Sequence, residues 1–144
     1  MNEYKALKDK HQAEVNAFPM FFAFNNAQFD RGMKELGLEP GDTGQIYKLG
    51  NTGGYYRRSD AGRFHEMLDR HSAEMEAAIS ADKTGNGFIF QMFCYELANH
   101  EYIITGDVSD ALDALGLTAD DVNASKNLQH GLKLAIKTQQ KGGF

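Results

Sequence analysis

Residues 88–100 read FIFQMFCYELANH, and this stretch constrains how the rest of the chain can fold. Its apolar side chains fall on every side of a helix, whereas a surface helix keeps polar residues on its outer face. A helix of this kind is stable only when neighbouring elements cover it all round. The stretch therefore predicts a central helix with the flanking elements packed around it.

Amphipathic helices are expected before and after this central helix. Residues 118–121 carry a variant of the capping box, which indicates only a brief turn. Caps, glycine stops and apolar spacing near 3.6 residues predict the other helices. They lie at residues 2–17, 25–36, 60–81, 107–115 and 125–141.

Short apolar runs bounded by turn residues predict strands. Residues 45–58, QIYKLGNTGGYYRR, have the composition of a hairpin with a glycine-rich turn at residues 50–54. Residues 20–24 and 101–105 predict two further strands. The expected fold is α+β, a small antiparallel sheet of about four short strands covered by about six helices, in a single domain of residues 1–144.

Composition excludes several classes of protein. The net charge is -5, and proteins that bind nucleic acid through its phosphates usually carry a basic excess. The single cysteine, Cys94, lies among apolar neighbours and is expected to be a small buried hydrophobe, as in a reducing compartment. The longest unbroken apolar run, residues 18–24, is far shorter than the roughly 20 residues of a membrane span. No secretory signal is expected at residues 1–16, so we place the protein in the cytoplasm, without direct contacts to nucleic acid or membrane.

The densest polar cluster lies at the end of the central helix and contains Glu96, Asn99, His100 and Glu101. Glu96 and His100 are four residues apart, so they share one face of the helix and could act as an acid and base pair. The alternative is structural, because buried polar groups usually satisfy one another and the backbone at a helix end.

The hairpin offers a candidate surface for binding a protein partner. Adjacent tyrosines and arginines are common in interface hot spots, and glycine amides beside them could instead cradle a phosphate. An ordinary hairpin turn explains the same residues. The candidates are Asn51, Tyr55, Tyr56, Arg57 and Arg58.

A second candidate surface is acidic. Residues 107–121 contain five aspartates and no lysine or arginine, so they could mimic nucleic-acid phosphates toward a basic groove. A solvated helix and turn face is the alternative. The residues are Asp107, Asp110, Asp113, Asp120 and Asp121.

No metal, cofactor or catalytic residue is expected. His65, Glu66 and Asp69 form an HExxD sequence, which lacks the second histidine that places two imidazoles on one zinc ion. His71 is expected to face the apolar stripe of its helix. We therefore expect a protein that is not an enzyme.

Three segments carry a resemblance to a known group of proteins. They are PMFFAFNNAQFDRGMKELGL at residues 19–38, the glycine loop with RRSD at residues 57–60, and YELANHEYIITGD at residues 95–107. The chain resembles a small family carried on mobile elements of gut bacteria, and it is similar to an anti-CRISPR protein that inhibits type II-A Cas9. The resemblance implies a binding inhibitor of a host defence nuclease, and the acidic charge suits a basic, nucleic-acid-processing partner such as Cas9. It does not imply an oligomeric state.

Overall fold

A computed structural model describes residues 2–142 and confirms a mixed fold of helices with a small antiparallel sheet. Within those residues it has eight α-helices and three β-strands. In chain order they are α1 Glu3–Ala17, β1 Met20–Phe22, α2 Asn26–Glu35, β2 Ile46–Leu49, β3 Gly54–Arg57, α3 Ala61–Ala81, α4 Phe88–Asn99, α5 Tyr102–Thr105, α6 Ser109–Ala114, α7 Ala119–Asn123 and α8 Lys126–Gln140.

The predicted number of strands and helices is wrong at two places. Residues 101–105, predicted as a fourth strand, form the one-turn helix α5, because the amides of Ile104 and Thr105 both donate to the carbonyl of Glu101. Tyr102 packs against a helical core, and this tertiary contact outweighs the strand propensity of the isoleucines. Residues 119–123, expected as part of a brief turn, form α7.

The described chain forms two compact units. The first contains the residues up to His11 and those from Ala73 onward, and the second is Gln12–Ser72. One domain of residues 1–144 stays a prediction. Among the described residues, no helix combines the length and apolar character that crossing a membrane requires.

The first unit is built around α4, which confirms the helix predicted at residues 88–100. Met92, Phe93 and Leu97 are completely buried in its core. Helix α8 comes very close to α4, because a Cβ on Gly131 would lie only 2.4 Å from Ile89 Cγ2. The core also includes side chains from α1 and from α5 to α7.

The second unit contains the whole sheet, in the order β1-β3-β2 with both pairs antiparallel. The predicted hairpin is confirmed, with Leu49 opposite Gly54, so the connection is residues 50–53. Met20 and Tyr47 both lie opposite Tyr56 and therefore share one face of the sheet.

Each face of the sheet packs against its own group of side chains. On the face that carries Tyr56, the Tyr56 and Phe64 rings are 4.7 Å apart between centroids. On the opposite face, Phe21 packs against Phe29 of α2 at 5.7 Å, and Met33 is completely buried beneath them. Aromatic packing on both faces explains how so small a sheet is held within this unit.

A glycine in α2 is required by this packing. A Cβ at Gly32 would lie 2.1 Å from Cδ1 of the buried Phe21 ring, whereas a Cβ at Gly62, near the start of α3, meets no atom within 4 Å. We expect Gly32→Ala to lower the free energy of unfolding by about 1–3 kcal/mol, although alanine favours helix. Gly62→Ala should raise it by about 0.5 kcal/mol.

Urea unfolding of the two variants beside the parent chain measures both effects. Equal stabilisation by Gly32→Ala and Gly62→Ala would show that the Phe21 ring can move aside at no cost.

Candidate functional site

The predicted polar cluster is centred on Glu96, which α4 holds completely buried. Helix α1 supplies two donors to Glu96 Oε2, the Tyr4 hydroxyl and, at 2.9 Å, Lys8 Nζ. Glu96 Oε1 is buried without a hydrogen-bond partner. His100 Nε2 is 3.6 Å from Oε1, just beyond hydrogen-bonding distance.

The electrostatics of this cluster favour a structural role. Burial, followed by the hydrogen bond to Glu96, raises the pKa of Tyr4 well above its ordinary value. The Lys8 ammonium also lies 5.1 Å from the centroid of the Tyr95 ring. A buried carboxylate is costly unless a cation and hydrogen bonds compensate it, and here both come from α1. The cluster therefore attaches the start of α1 to α4.

The other predicted members of the cluster do not converge on Glu96. Asn99 and Glu101 are exposed, and His100 is half-buried. Asn99 lines an open groove of about 450 Å³ together with Asn2 and Lys5. Glu101 adopts the left-handed conformation, φ 57°, directly after α4. The structure thus brings together only Glu96 and His100 of the predicted cluster. It adds Tyr4 and Lys8, whose spacing of four residues places them on one face of α1 but does not indicate which residue that face contacts.

Cys94 lies on α4 beside this cluster, and its predicted burial is confirmed. Burial raises the pKa of the Cys94 thiol to about 11. A thiol with so high a pKa is a poor nucleophile at neutral pH.

The hairpin candidates divide into buried and exposed residues. Tyr56 is buried in the core of the second unit, and the Tyr55 ring stacks on Phe21 with 5.2 Å between centroids. Arg57 donates to Asp60 Oδ2 at 2.8 Å and to the Leu36 carbonyl at 3.1 Å.

The pKa of Asp60 is lowered first by its hydrogen bond from Arg63 and then by the one from Arg57, so Arg57 helps to compensate a buried acid. Asn51 and Arg58 are the exposed members of the predicted hairpin surface. The Arg58 guanidinium lies 4.6 Å from the centroid of the Tyr47 ring.

All five predicted acidic residues are exposed. Asp107 and Asp121 have local structural roles, because Asp107 Oδ1 accepts the Ser109 amide at 2.8 Å and Asp121 forms a capping box with Thr118. The Ser109 backbone amide holds the pKa of Asp107 below its ordinary value. The side-chain carboxylates of the other three make no hydrogen bond or ion pair with any described residue, and they are Asp110, Asp113 and Asp120.

Two exposed isoleucines on α5 were missed by the sequence reasoning. Ile103 is 58% exposed and Ile104 is 78% exposed. Assigning residues 101–105 to a strand hid them, because a paired strand would have buried at least one of its faces. Their apolar character beside Asp107 and Asp110 was the available signal.

The HExxD residues form no metal site. His65, Glu66 and Asp69 are exposed on α3, while His71 Nε2 lies 2.7 Å from Glu14 Oε2. The hydrogen bond from Arg70, followed by that from His71, lowers the pKa of Glu14 to about 2. Within residues 2–142 the structure has no cluster of three or more acidic, histidine or cysteine side chains suited to a metal ion.

The loop before α4, DKTGNG at residues 82–87, partly resembles the first half of an EF-hand calcium loop, but Thr84 stands at the third position, where such loops have Asp or Asn. The bidentate glutamate that closes such a loop at its twelfth position is replaced by Phe93, which is completely buried. The Asp82 carboxylate accepts the amides of Gly85, Gly87 and Ile89 at 2.9–3.0 Å. Burial opposes ionisation of Asp82, but these backbone hydrogen bonds outweigh it and lower the pKa, so the carboxylate organises the start of α4.

Substitutions on α1 test whether its contacts with Glu96 stabilise the fold. Lys8→Met removes the cation next to a buried carboxylate and should lower the free energy of unfolding by about 2 kcal/mol. Lys5→Met is the matched control, because Lys5 pairs with Asp9 on the exposed surface, where such pairs contribute little to stability.

His100→Ala should change stability by about 0.5 kcal/mol or less, since His100 makes no hydrogen bond to Glu96. Thermal unfolding of the three variants provides the comparison. An equal loss in Lys8→Met and Lys5→Met would show that Tyr4 alone is sufficient to hold Glu96.

Comparisons with known proteins give a family and no further relatives. No curated protein and no solved structure matches the chain. A family model matches residues 3–138, which is nearly the whole chain. The chain therefore belongs to the family of unknown function DUF7659.

Proposed function

We propose that this protein is not an enzyme and acts by binding a basic protein partner through the α5–α6 surface. We define this surface by the exposed side chains of Ile103, Ile104, Asp107, Asp110 and Asp113. The observation that carries the proposal is the exposure of the two adjacent isoleucines, 58% and 78%, beside aspartates that lack an ion pair with any described residue.

Hydrophobic burial would supply much of the binding free energy. Burying an isoleucine side chain that is otherwise exposed contributes about 1.5–3 kcal/mol. Two adjacent isoleucines can therefore form the dry centre of an interface, while Asp110 and Asp113 form part of a solvated rim. Their charge would speed association with a positively charged surface and disfavour acidic partners.

Backbone strain next to the isoleucines supports the same surface. Glu101 is the one non-glycine residue with a positive φ among the described residues, at 57°. This left-handed conformation costs a residue with a side chain about 1–2 kcal/mol. It separates α4 from α5, and local strain of this kind concentrates at functional sites.

The partner class we propose is a host defence nuclease, specifically type II-A Cas9 loaded with its guide RNA in the cytoplasm. The support is the sequence resemblance together with the net charge of -5, which suits a protein whose nucleic-acid channel is positively charged. In this hypothesis the inhibitor is stoichiometric and blocks either DNA loading or the conformational step before cleavage.

The enzymatic alternative has less support in the geometry. Glu96 is covered by Tyr4 and Lys8, and the open groove nearby is lined by Asn99 rather than by Glu96 or His100. The hairpin residues Asn51 and Arg58 are exposed and stay predicted partner contacts.

The proposal predicts that changing both Ile103 and Ile104 to Ser weakens partner binding by about 10-fold or more. Stability should change by only about 0.5 kcal/mol, because both side chains are exposed. Leu68→Ser is the control, since Leu68 is a 37% exposed apolar residue on α3. The measurement is inhibition of DNA cleavage by several type II-A Cas9 proteins, titrated with each variant beside gel filtration of the mixture.

The outcomes separate the surface from the partner. We expect the parent chain and Leu68→Ser to inhibit stoichiometrically, and we expect the isoleucine variant to lose this inhibition. Inhibition that survives the isoleucine changes would refute the α5–α6 surface. Absence of both inhibition and co-elution would refute Cas9 as the partner.

A further inference from the structure

A small pocket lies at the tip of the β2–β3 hairpin, within the second unit. Its volume is about 260 Å³, and Phe24, Lys48, Gly50, Asn51 and Tyr55 are among its lining residues. Phe24 also lines a neighbouring pocket of about 260 Å³ together with Asn26. Neither pocket is part of the α5–α6 surface.

Phe24 has the features of a stacking platform. The side chain is 78% exposed, and its ring lies in contact with Gly53, where a Cβ would lie 2.5 Å from Phe24 Cε1. The Phe24 amide donates to Gln28 Oε1 at 2.7 Å, which holds the backbone in place. An aromatic ring that contacts backbone and is largely open to solvent offers a surface for a planar group.

The electrostatics of the tip select an anion. Lys48 is the only charged side chain among the described residues that line the two pockets, and it has no ion pair with any described residue. The amides of Gly50 and Asn51 donate to no other described backbone or side-chain group. Residues 45–58 contain three cationic side chains and no acid, although the whole chain has a net charge of -5. Free amides beside a lysine form a suitable cradle for phosphate.

We propose that the hairpin-tip pocket binds a mononucleotide, with its base stacked on Phe24 and its phosphate held by Lys48 and the amides of Gly50 and Asn51. The aromatic platform and the anion cradle line one pocket, and a nucleotide is a ligand that presents both a planar ring and a phosphate. Asn26 is exposed in the neighbouring pocket, where its amide can hydrogen-bond the edge of the base. The overall negative charge disfavours a longer polyanionic strand.

The test is a titration of the full chain with AMP, GMP, CMP and UMP. Calorimetry measures the binding, and backbone amide NMR locates it. Adenosine, inorganic phosphate and an oligothymidylate are the comparison ligands. We expect at least one mononucleotide to bind saturably and to shift the amides of Gly50 and Asn51. Adenosine and phosphate should each bind more weakly, because each offers only half of the required groups.

Variants locate the site. Phe24→Ala and Lys48→Gln should each weaken mononucleotide binding by about 10-fold, an effect typical of losing one stacked or charged contact. Lys34→Gln, at an exposed lysine on α2, is the matched control and should leave binding unchanged. Phe24→Leu keeps an apolar side chain but has no aromatic ring. If this variant also loses binding, the cause is the loss of stacking rather than a loss of folding.

Three results would overturn the proposal. They are the absence of binding by every mononucleotide, binding of the oligonucleotide alone, and equal weakening by Lys34→Gln and Lys48→Gln. The last result would show that the attraction is a general charge effect rather than a site.

Discussion

The first unit depends on how one carboxyl side chain, that of Glu96, is held inside an apolar core. Glu96 is the one acidic residue among the buried side chains of α4, and a buried carboxylate is costly without a compensating partner. Tyr4 and Lys8 both donate to Glu96 Oε2, so the contacts that compensate this oxygen also position the beginning of α1. Helix α8 also covers α4, and Gly131 allows the close approach because the Ile89 side chain occupies the space that a Cβ would need.

The second unit follows a different constraint, since its sheet of three short strands must be covered on both faces. Aromatic side chains supply this cover. Some of them are tyrosines of a kind that is also common in protein interfaces. Tyr55 and Tyr56 pack in the interior, and Arg57 compensates Asp60. Phe24 and Lys48, by contrast, stay exposed near the hairpin tip.

The two proposed surfaces differ in charge and in the ligand they suit. The α5–α6 surface joins an apolar centre to acidic residues, which favours a basic protein. The hairpin tip joins an aromatic ring to a lysine, which favours a small anion with a planar group. Membership of DUF7659 places the chain in a family without assigning either activity, so each proposal depends on the geometry of its own surface and, for Cas9, on the sequence resemblance.

Local sequence pattern was sufficient to predict the elements that it controls. The apolar run at residues 88–100 predicted α4, and two short strand-like runs around a glycine-rich turn predicted the β2–β3 hairpin, because residue pattern and turn chemistry act over a few residues. The helical conformation of residues 102–105 depended on tertiary structure, since packing of Tyr102 against the core outweighed strand propensity.

Tertiary structure also decided which candidate side chains are accessible. Burial of Tyr56, exposure of Ile104 and the contact of Lys8 with Glu96 each depend on residues far away in the chain. A pattern read over one helix or hairpin contains no information about such contacts, because they are set by which elements meet.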